Sequence, residues 1–158
     1  MTVIAPDDEF TRDWDWFAVD PAGCIAHFTT AGMRPLPASV KVDKDAALQL
    51  IEYFFKSASK SIPYSVRPDA ERDCGGWRDD AARSWYLKDF TLMASTGLFS
   101  YNTNVSGSKD HYFLVAIPSE PLRVEQLPER VRDLVSRTKS PISFADAPYI
   151  QEVHTLTW

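Results

Sequence analysis

The sequence has few cysteines, few glycines and no long apolar run. Its two cysteines, Cys24 and Cys74, lie in neither a CxxC pair nor a histidine-rich stretch, which excludes a zinc-ligand set and a disulfide scaffold. Six glycines among 158 residues, with an otherwise average composition, exclude a collagen-like chain. The longest apolar runs, such as 113–117, fall far short of the ~20 residues that cross a bilayer. We therefore predict a soluble domain with two free, buried thiols.

A secretory leader is also missing from the start of the chain. Residues 1–10 are acidic, whereas a signal peptide begins with a basic segment followed by an apolar one. The expected location is the cytoplasm, which agrees with free cysteines.

An excess of positive charge is absent as well. Lys and Arg number 17 against 22 Asp and Glu, for a net charge of −5. The first twenty residues account for all of it, because there Arg12 stands against six acids: Asp7, Asp8, Glu9, Asp13, Asp15 and Asp20. Nucleic-acid binding needs a basic footprint, so it is not expected. The local excess predicts either a surface that attracts a basic partner or a solvated, flexible acidic lead over residues 1–12.

The chain length and residue pattern predict a single α+β domain over 1–158. A hairpin is expected at 14–30, with its turn at Asp20-Pro-Ala-Gly23. Further strands are predicted near 98–103, 111–117 and 142–145, in an antiparallel or mixed sheet. Two longer helices, about 43–59 and 78–96, and a short one, about 128–137, are expected to pack against that sheet.

Other assignments follow from the same pattern. Asp43 is the expected cap of the first long helix, and Gly97 ends the second. Segment 62–76 is rich in proline, glycine and charge and is predicted to be irregular. The inner face of the second long helix is expected to carry Ala82, Trp85, Tyr86, Asp89, Phe90 and Met93.

Recognisable catalytic motifs are missing from the sequence. It contains no GxSxG, P-loop, GxGxxG or HExxH pattern. None of the three histidines, His27, His111 and His154, has a partner at metal-ligand spacing on one face. A lone strand histidine is most often a packed, hydrogen-bonded residue, and a catalytic base is the less common alternative. The sequence therefore predicts no enzyme, no metal and no cofactor.

The sequence contains more residues suited to a protein-binding surface than to catalysis. The acids at positions 7–15 interleave with Phe10, Trp14 and Trp16, and aromatic anchors among carboxylates suit the capture of a basic protein. Trp14 and Trp16 point the same way on a strand, so at least one is expected in the core. Asp79 and Asp80 form a weaker second patch, although the dipole of the helix that follows is a sufficient reason for both.

One stretch of the sequence resembles a known group. Residues 14–37, WDWFAVDPAGCIAHFTTAGMRPLP, are similar to the opening of small bacterial proteins that include immunity proteins encoded beside contact-dependent and other polymorphic toxins. The acidic lead, the hairpin and the proline-rich exit carry the resemblance, and residues 94–101, ASTGLFSY, add to it. The two stretches cover about a fifth of the chain.

The resemblance implies a cytoplasmic inhibitor that binds and neutralises one cognate toxin C-terminal domain, often a nuclease with a basic groove. Neither nucleic acid nor membrane would be its partner. The residues expected to meet the toxin are Asp7, Asp8, Glu9, Asp13 and Asp15, with Asp79 and Asp80 as the weaker patch. The alternative is a small enzyme or metabolite-binding protein that uses His27 and His111 in one pocket.

Overall fold

The computed structural model describes residues 2–104 and 110–158. Its strands are β1 (Asp15–Val19), β2 (Ile25–Thr29), β3 (Tyr64–Val66), β4 (Phe99–Thr103), β5 (His111–Pro118) and β6 (Tyr149–Gln151). Its helices are α1 (Pro6–Thr11), α2 (Ala38–Lys41), α3 (Lys44–Glu52), α4 (Ala70–Cys74), α5 (Asp80–Ser95), α6 (Glu129–Val135) and α7 (Glu152–Thr155). A π-helical turn, Tyr53–Ser57, continues α3, and 3-10 turns lie at Val124–Gln126 and Phe144–Asp146. None of the helices described is both long and apolar enough to cross a membrane.

The strands form one mixed sheet with the order β1-β2-β4-β5-β3, in which β6 also pairs with β5. The pair β2–β4 is parallel, and the other pairs are antiparallel. The predicted α+β single-domain fold is confirmed.

Local chemistry explains the best-predicted elements. The Asp20 carboxylate accepts hydrogen bonds from Ala22 N and Cys24 N, both at 2.9 Å, and Gly23 takes a φ of +82°, so the β1–β2 turn is fixed as its sequence suggests. Asp43 caps α3 by accepting from Ala46 N at 3.1 Å. Gly97 follows α5 with a φ of +99°.

The two faces of the sheet are covered differently. One face, which we call the aromatic face, is covered by loop residues, by parts of α2 and α3 and by the C-terminal residue. Its large rings are Trp14, Trp16, Phe28, Phe99, Tyr101, Tyr112, Phe144 and Trp158. The opposite face, which we call the helical face, packs against α3, α4, α5 and α6. Both Trp14 and Trp16 are buried, so both belong to the core.

The predicted strand at 142–145 is wrong. Residues Phe144–Asp146 form a 3-10 turn, and the last strand is β6. The Phe144 ring is buried on the aromatic face, and its backbone N donates to the Asp20 carboxylate at 3.0 Å. A side-chain acceptor 124 residues away thus replaces a neighbouring strand.

The acidic lead, predicted to be flexible over residues 1–12, is attached to the rest of the fold over its described residues 2–12. Pro6 opens α1, and Glu9 on this helix is only 3% exposed. Ile4 N donates to Lys41 O at 2.8 Å, which ties the segment to α2. A buried carboxylate needs partners, and Glu9 has Leu36 N at 2.7 Å.

Segment 62–76 is more regular than its composition predicts. It contains β3 and α4, which are too short to show a hydrophobic period. Arg67 joins them to the sheet, because its Nε donates to Leu114 O at 2.6 Å and its guanidinium pairs with Asp73.

Candidate functional site

A cavity of about 360 Å³ opens on the helical face, at the end of the sheet where β2 and β4 end. We call it the His27 cavity. Polar residues line it from six different segments: Asp13, Asp15, His27, Thr29, Asp73, Cys74, Tyr86, Asp89, Asn102 and Thr103. Ala31, Phe90 and Phe113 complete the lining. The volume lies at the small end of the roughly 300–1,000 Å³ typical of ligand sites.

His27 occupies the wall of this cavity on β2. Its Nε2 lies 2.6 Å from Asp15 Oδ1, and its Nδ1 lies 2.8 Å from Ser100 Oγ. Because a carboxylate only accepts, Nε2 carries the proton, and in the neutral ring Nδ1 then accepts from the Ser100 hydroxyl. Phe17 and Phe90 pack around the ring, at centroid distances of 5.6 and 6.2 Å.

Ser100, His27 and Asp15 are hydrogen-bonded in the order of a catalytic triad, but the serine is not accessible as it is in a triad. Ser100 is 0% exposed, whereas the Asp15 side chain is 28% exposed. A nucleophile must reach its substrate, and here the serine lies at the buried end of the chain. The arrangement therefore orients His27 and Asp15 but offers no serine nucleophile.

Asp13 and Asp89 supply further carboxylates on the cavity wall. Asp13 Oδ1 accepts from the Ala31 N at 2.7 Å and from the Thr29 hydroxyl. Asp89 projects from α5 and has no hydrogen bond or ion pair among the residues described. Neither carboxylate pairs with a Lys or Arg of the described chain, so this wall carries uncompensated negative charge.

The Asp73 carboxylate, by contrast, has partners within the chain for both of its oxygens. It pairs with Arg67, and the Tyr149 hydroxyl donates to its Oδ2 at 2.9 Å. Cys74 beside it is only partly buried, and its Sγ donates to Glu71 O at 3.2 Å. The other thiol, Cys24, is buried, and burial raises the pKa of its thiol.

Tyr86 closes the cavity from the side of α5. Its hydroxyl accepts from Asn102 Nδ2 at 2.6 Å. Burial raises the pKa of Tyr86 above its usual range, so the phenol stays neutral at physiological pH.

The seven acids predicted to meet a partner do not share one surface. Asp13 and Asp15 line the His27 cavity, and Asp7 lies exposed on α1. Asp8 pairs with Lys44 Nζ at 2.6 Å. Glu9 is buried and therefore presents no carboxylate to a partner.

The weaker acidic patch, Asp79 and Asp80, lies at the start of α5. Asp79 caps this helix by accepting from Ala82 N at 2.8 Å and lies 3.4 Å from the Arg78 side chain. Asp80 is exposed in the first turn of the same helix. Neither residue lines the His27 cavity.

The two histidines of the alternative hypothesis are not brought together. His27 lines the cavity, but His111 on β5 does not, and its ring contacts Tyr149 at 5.3 Å. The described residues contain no group of three His, Cys, Asp or Glu able to hold a metal ion.

Trp85 is the residue whose predicted position differs most from the structure. Its spacing predicts the inner face of α5, yet it is 78% exposed. The buried residues of α5 are Leu87, Phe90, Met93 and Ala94, so Trp85 lies off that face. Trp85 precedes Asp89 by four residues and is therefore its neighbour on the helix surface.

Comparison of the chain with protein-family models, with curated proteins and with solved structures found no match.

Proposed function

We propose that the protein is a bacterial immunity protein that acts in the cytoplasm by binding and neutralising a cognate toxin domain through the His27 cavity and its rim. The observation that carries the proposal is that three carboxylates, Asp13, Asp15 and Asp89, line one cavity without a Lys or Arg partner among the described residues. The resemblance of residues 14–37 to immunity proteins supplies the biological role.

The exposed Trp85 supports a protein partner over a small ligand. Tryptophan is enriched among the residues that dominate binding energy at protein interfaces. Its ring is covered only in part, with Lys88 Nζ 5.6 Å from the ring centroid. An exposed indole one helical turn from Asp89 combines an apolar anchor with charge attraction.

The net charge of −5 supports a basic partner. Opposite charges raise the association rate, and that gain falls as salt screens them. A toxin nuclease with a basic substrate groove would fit such a surface. Asp7 adds exposed charge on α1, whereas Asp8 and Glu9 are neutralised or buried.

A small enzyme or metabolite-binding protein is the second candidate. The hydrogen-bonded pair Asp15–His27 favours it, because a positioned carboxylate–imidazole pair is a common proton-transfer device. The buried Ser100 argues against acyl transfer, and His111 contributes nothing at the cavity.

The test is co-expression with the C-terminal domain of the protein encoded directly upstream, followed by purification and affinity measurement at low and high salt. We expect a one-to-one complex, weaker at high salt, and rescue of growth of cells that express the toxin domain. A neighbour that is neither toxic nor bound would contradict the proposal and favour the second candidate.

A matched pair of variants locates the interface. Asp89→Lys reverses a charge on the cavity wall, and Glu120→Lys makes the same charge change at an exposed position outside it. Asp89→Lys is expected to lower the association rate about tenfold or more at low salt. Equal effects of both variants would mean that overall charge, and not the His27 cavity, attracts the partner.

A further inference from the structure

One side of the first turns of α5 is uncovered. Ala81, Ser84, Trp85 and Lys88 follow one another at helical spacing and are all exposed, whereas the buried residues of α5 begin at Leu87. We call these four exposed residues the α5 face. Trp85 is 78% exposed, the highest value among the large apolar side chains described. Because Ala81 and Ser84 are small, the indole stands clear of its neighbours towards the start of the helix.

The exposure of Trp85 sets it apart from the other tryptophans. Trp14, Trp16 and Trp158 are buried, and Trp77 is half-buried with its ring 5.8 Å from that of a tyrosine. Tryptophan is enriched among the residues that dominate binding energy at protein interfaces, because its rigid ring buries a large area at a small entropy cost. Trp85 is therefore the apolar anchor that the described chain offers to a partner.

The charges beside Trp85 leave acids, and not bases, available to a partner. Arg83 and Lys88 lie over indole rings of their own chain, at 5.2 and 5.6 Å from the ring centroids. The carboxylates of Asp80 and Asp89 are exposed and have no ion pair or hydrogen bond among the residues described. A surface that complements this side of α5 is therefore basic around an apolar centre.

We propose that Trp85 anchors the toxin domain by inserting its indole into an apolar pocket of the toxin, with a Lys or Arg at the pocket edge facing Asp89. This inference rests on the proposed function and names the side chain that supplies most of the binding energy. Asp89 lies one helical turn from Trp85 and also lines the His27 cavity, so the α5 face is continuous with the cavity. A second copy of the chain fits less well, because the free acids and the net charge of −5 would repel their equals.

The test compares Trp85→Ala with Tyr64→Ala, which truncates a ring 48% exposed on β3. We expect Trp85→Ala to weaken binding of the toxin domain encoded upstream about 30- to 1,000-fold, mainly through faster dissociation. Tyr64→Ala should change the Kd by less than about threefold. The loss in Trp85→Ala should persist at about 0.5 M salt, where charge attraction is screened. Both variants should melt within about 2 °C of the wild type.

Fluorine NMR locates the contact without truncating the side chain. The protein labelled with 5-fluorotryptophan has five resonances, one for each tryptophan, and Trp85→Phe assigns that of Trp85. We expect the Trp85 resonance to shift when the toxin domain binds, whereas those of the buried Trp14 and Trp16 stay in place. A complex in which the Trp85 resonance does not move would overturn the inference.

The failures of the two proposals are distinguishable. A toxin domain that the wild type and Trp85→Ala bind and neutralise equally well leaves the proposed function intact and removes this inference. A homodimer that dissociates in Trp85→Ala, at unchanged affinity for the toxin domain, would assign the α5 face to a second copy and also overturn it. The absence of any complex with the wild type would remove the proposed function, and the anchor with it.

Discussion

The two faces of the sheet are packed in different ways. On the aromatic face, Trp16, Phe28 and Tyr101 stack with centroid distances of 4.1 and 4.9 Å between successive rings. On the helical face, the apolar residues divide into two clusters. The His27 cavity opens on that face with carboxylates in its wall.

The difference indicates where stability and function reside. Rings that fill a face bury much apolar area, and that burial stabilises the fold. Exposed carboxylates without a cationic partner, such as Asp89, contribute little to it. The aromatic face supports the sheet, and the cavity on the other side is where we propose that the partner binds.

Phe28→Ala should cause the largest loss of stability. The ring is fully buried and contacts Trp16, Tyr101, Tyr112 and Phe144. Truncation should lower the free energy of unfolding by about 3–5 kcal/mol, measured by urea denaturation. Val153→Ala, at a residue 62% exposed, is the control and should change it by less than about 0.5 kcal/mol. Similar losses in both variants would show that burial of the Phe28 ring does not stabilise the fold.

His27→Leu tests the polar part of the helical face. Leucine keeps apolar bulk beside Phe17 and Phe90 but leaves Ser100 Oγ buried without its partner. The expected loss is about 1–3 kcal/mol in the same denaturation experiment, which is less than for Phe28→Ala. An unchanged or greater stability would mean that the Ser100–His27 bond has no net value.

Asp43→Asn tests whether acid weakens the attachment of α3 to the helical face. The Ala46 N–H, and then Arg137, lower the pKa of Asp43 below its usual value. Its charged form therefore stabilises the fold above about pH 4, and this contribution is lost as pH falls through the lowered folded-state pKa. The variant should melt about 1–4 °C below the wild type at pH 7.

That difference in melting temperature should shrink towards zero as pH falls from about 4 through the lowered folded-state pKa of Asp43. Thermal scans of both proteins across this range, at constant ionic strength, measure it. A gap that stays constant with pH would show that the charge of Asp43 is not the cause.

Asp89→Asn should have the smallest effect on folding. Asp89 is exposed and has no partner among the described residues, so the free energy of unfolding should change by less than about 0.5 kcal/mol. The same variant is expected to weaken binding of the proposed toxin domain. A loss above about 1 kcal/mol would instead give Asp89 a structural role and blur the contrast between the two faces.

Much of the fold could be predicted from short-range chemistry. The Asp20-to-Gly23 turn, the Asp43 cap and the Gly97 terminus each depend on residues close in sequence, and each prediction is confirmed. The predicted strand at 142–145 is wrong because the conformation there depends on Asp20, which is distant in the chain. The local sequence pattern gives no indication of a contact between residues so far apart in the chain.

The site was much harder to predict. Asp15, His27 and Asp89 lie on three different elements, and none has a motif around it. Asp13 and Asp15 could be predicted because they belong to an acidic segment, although that argument also selects Glu9, which is buried. The spacing of Trp85 fits a helical apolar stripe and predicts a core position, and only its exposure corrects this.

The parallel pairing of β2 with β4 makes the cavity depend on a contact between distant parts of the chain. The pairs β1–β2 and β4–β5 join strands that are consecutive in the sequence. The pair β2–β4 instead joins residues 73 apart, such as His27 and Ser100. The cavity therefore exists only once this long-range contact has formed, and closing so long a loop costs chain entropy. A partner that needs this cavity has no affinity for the unfolded or half-assembled chain. Its binding then adds to the free energy of unfolding in full, by about 1.4 kcal/mol for each tenfold excess of its concentration over Kd.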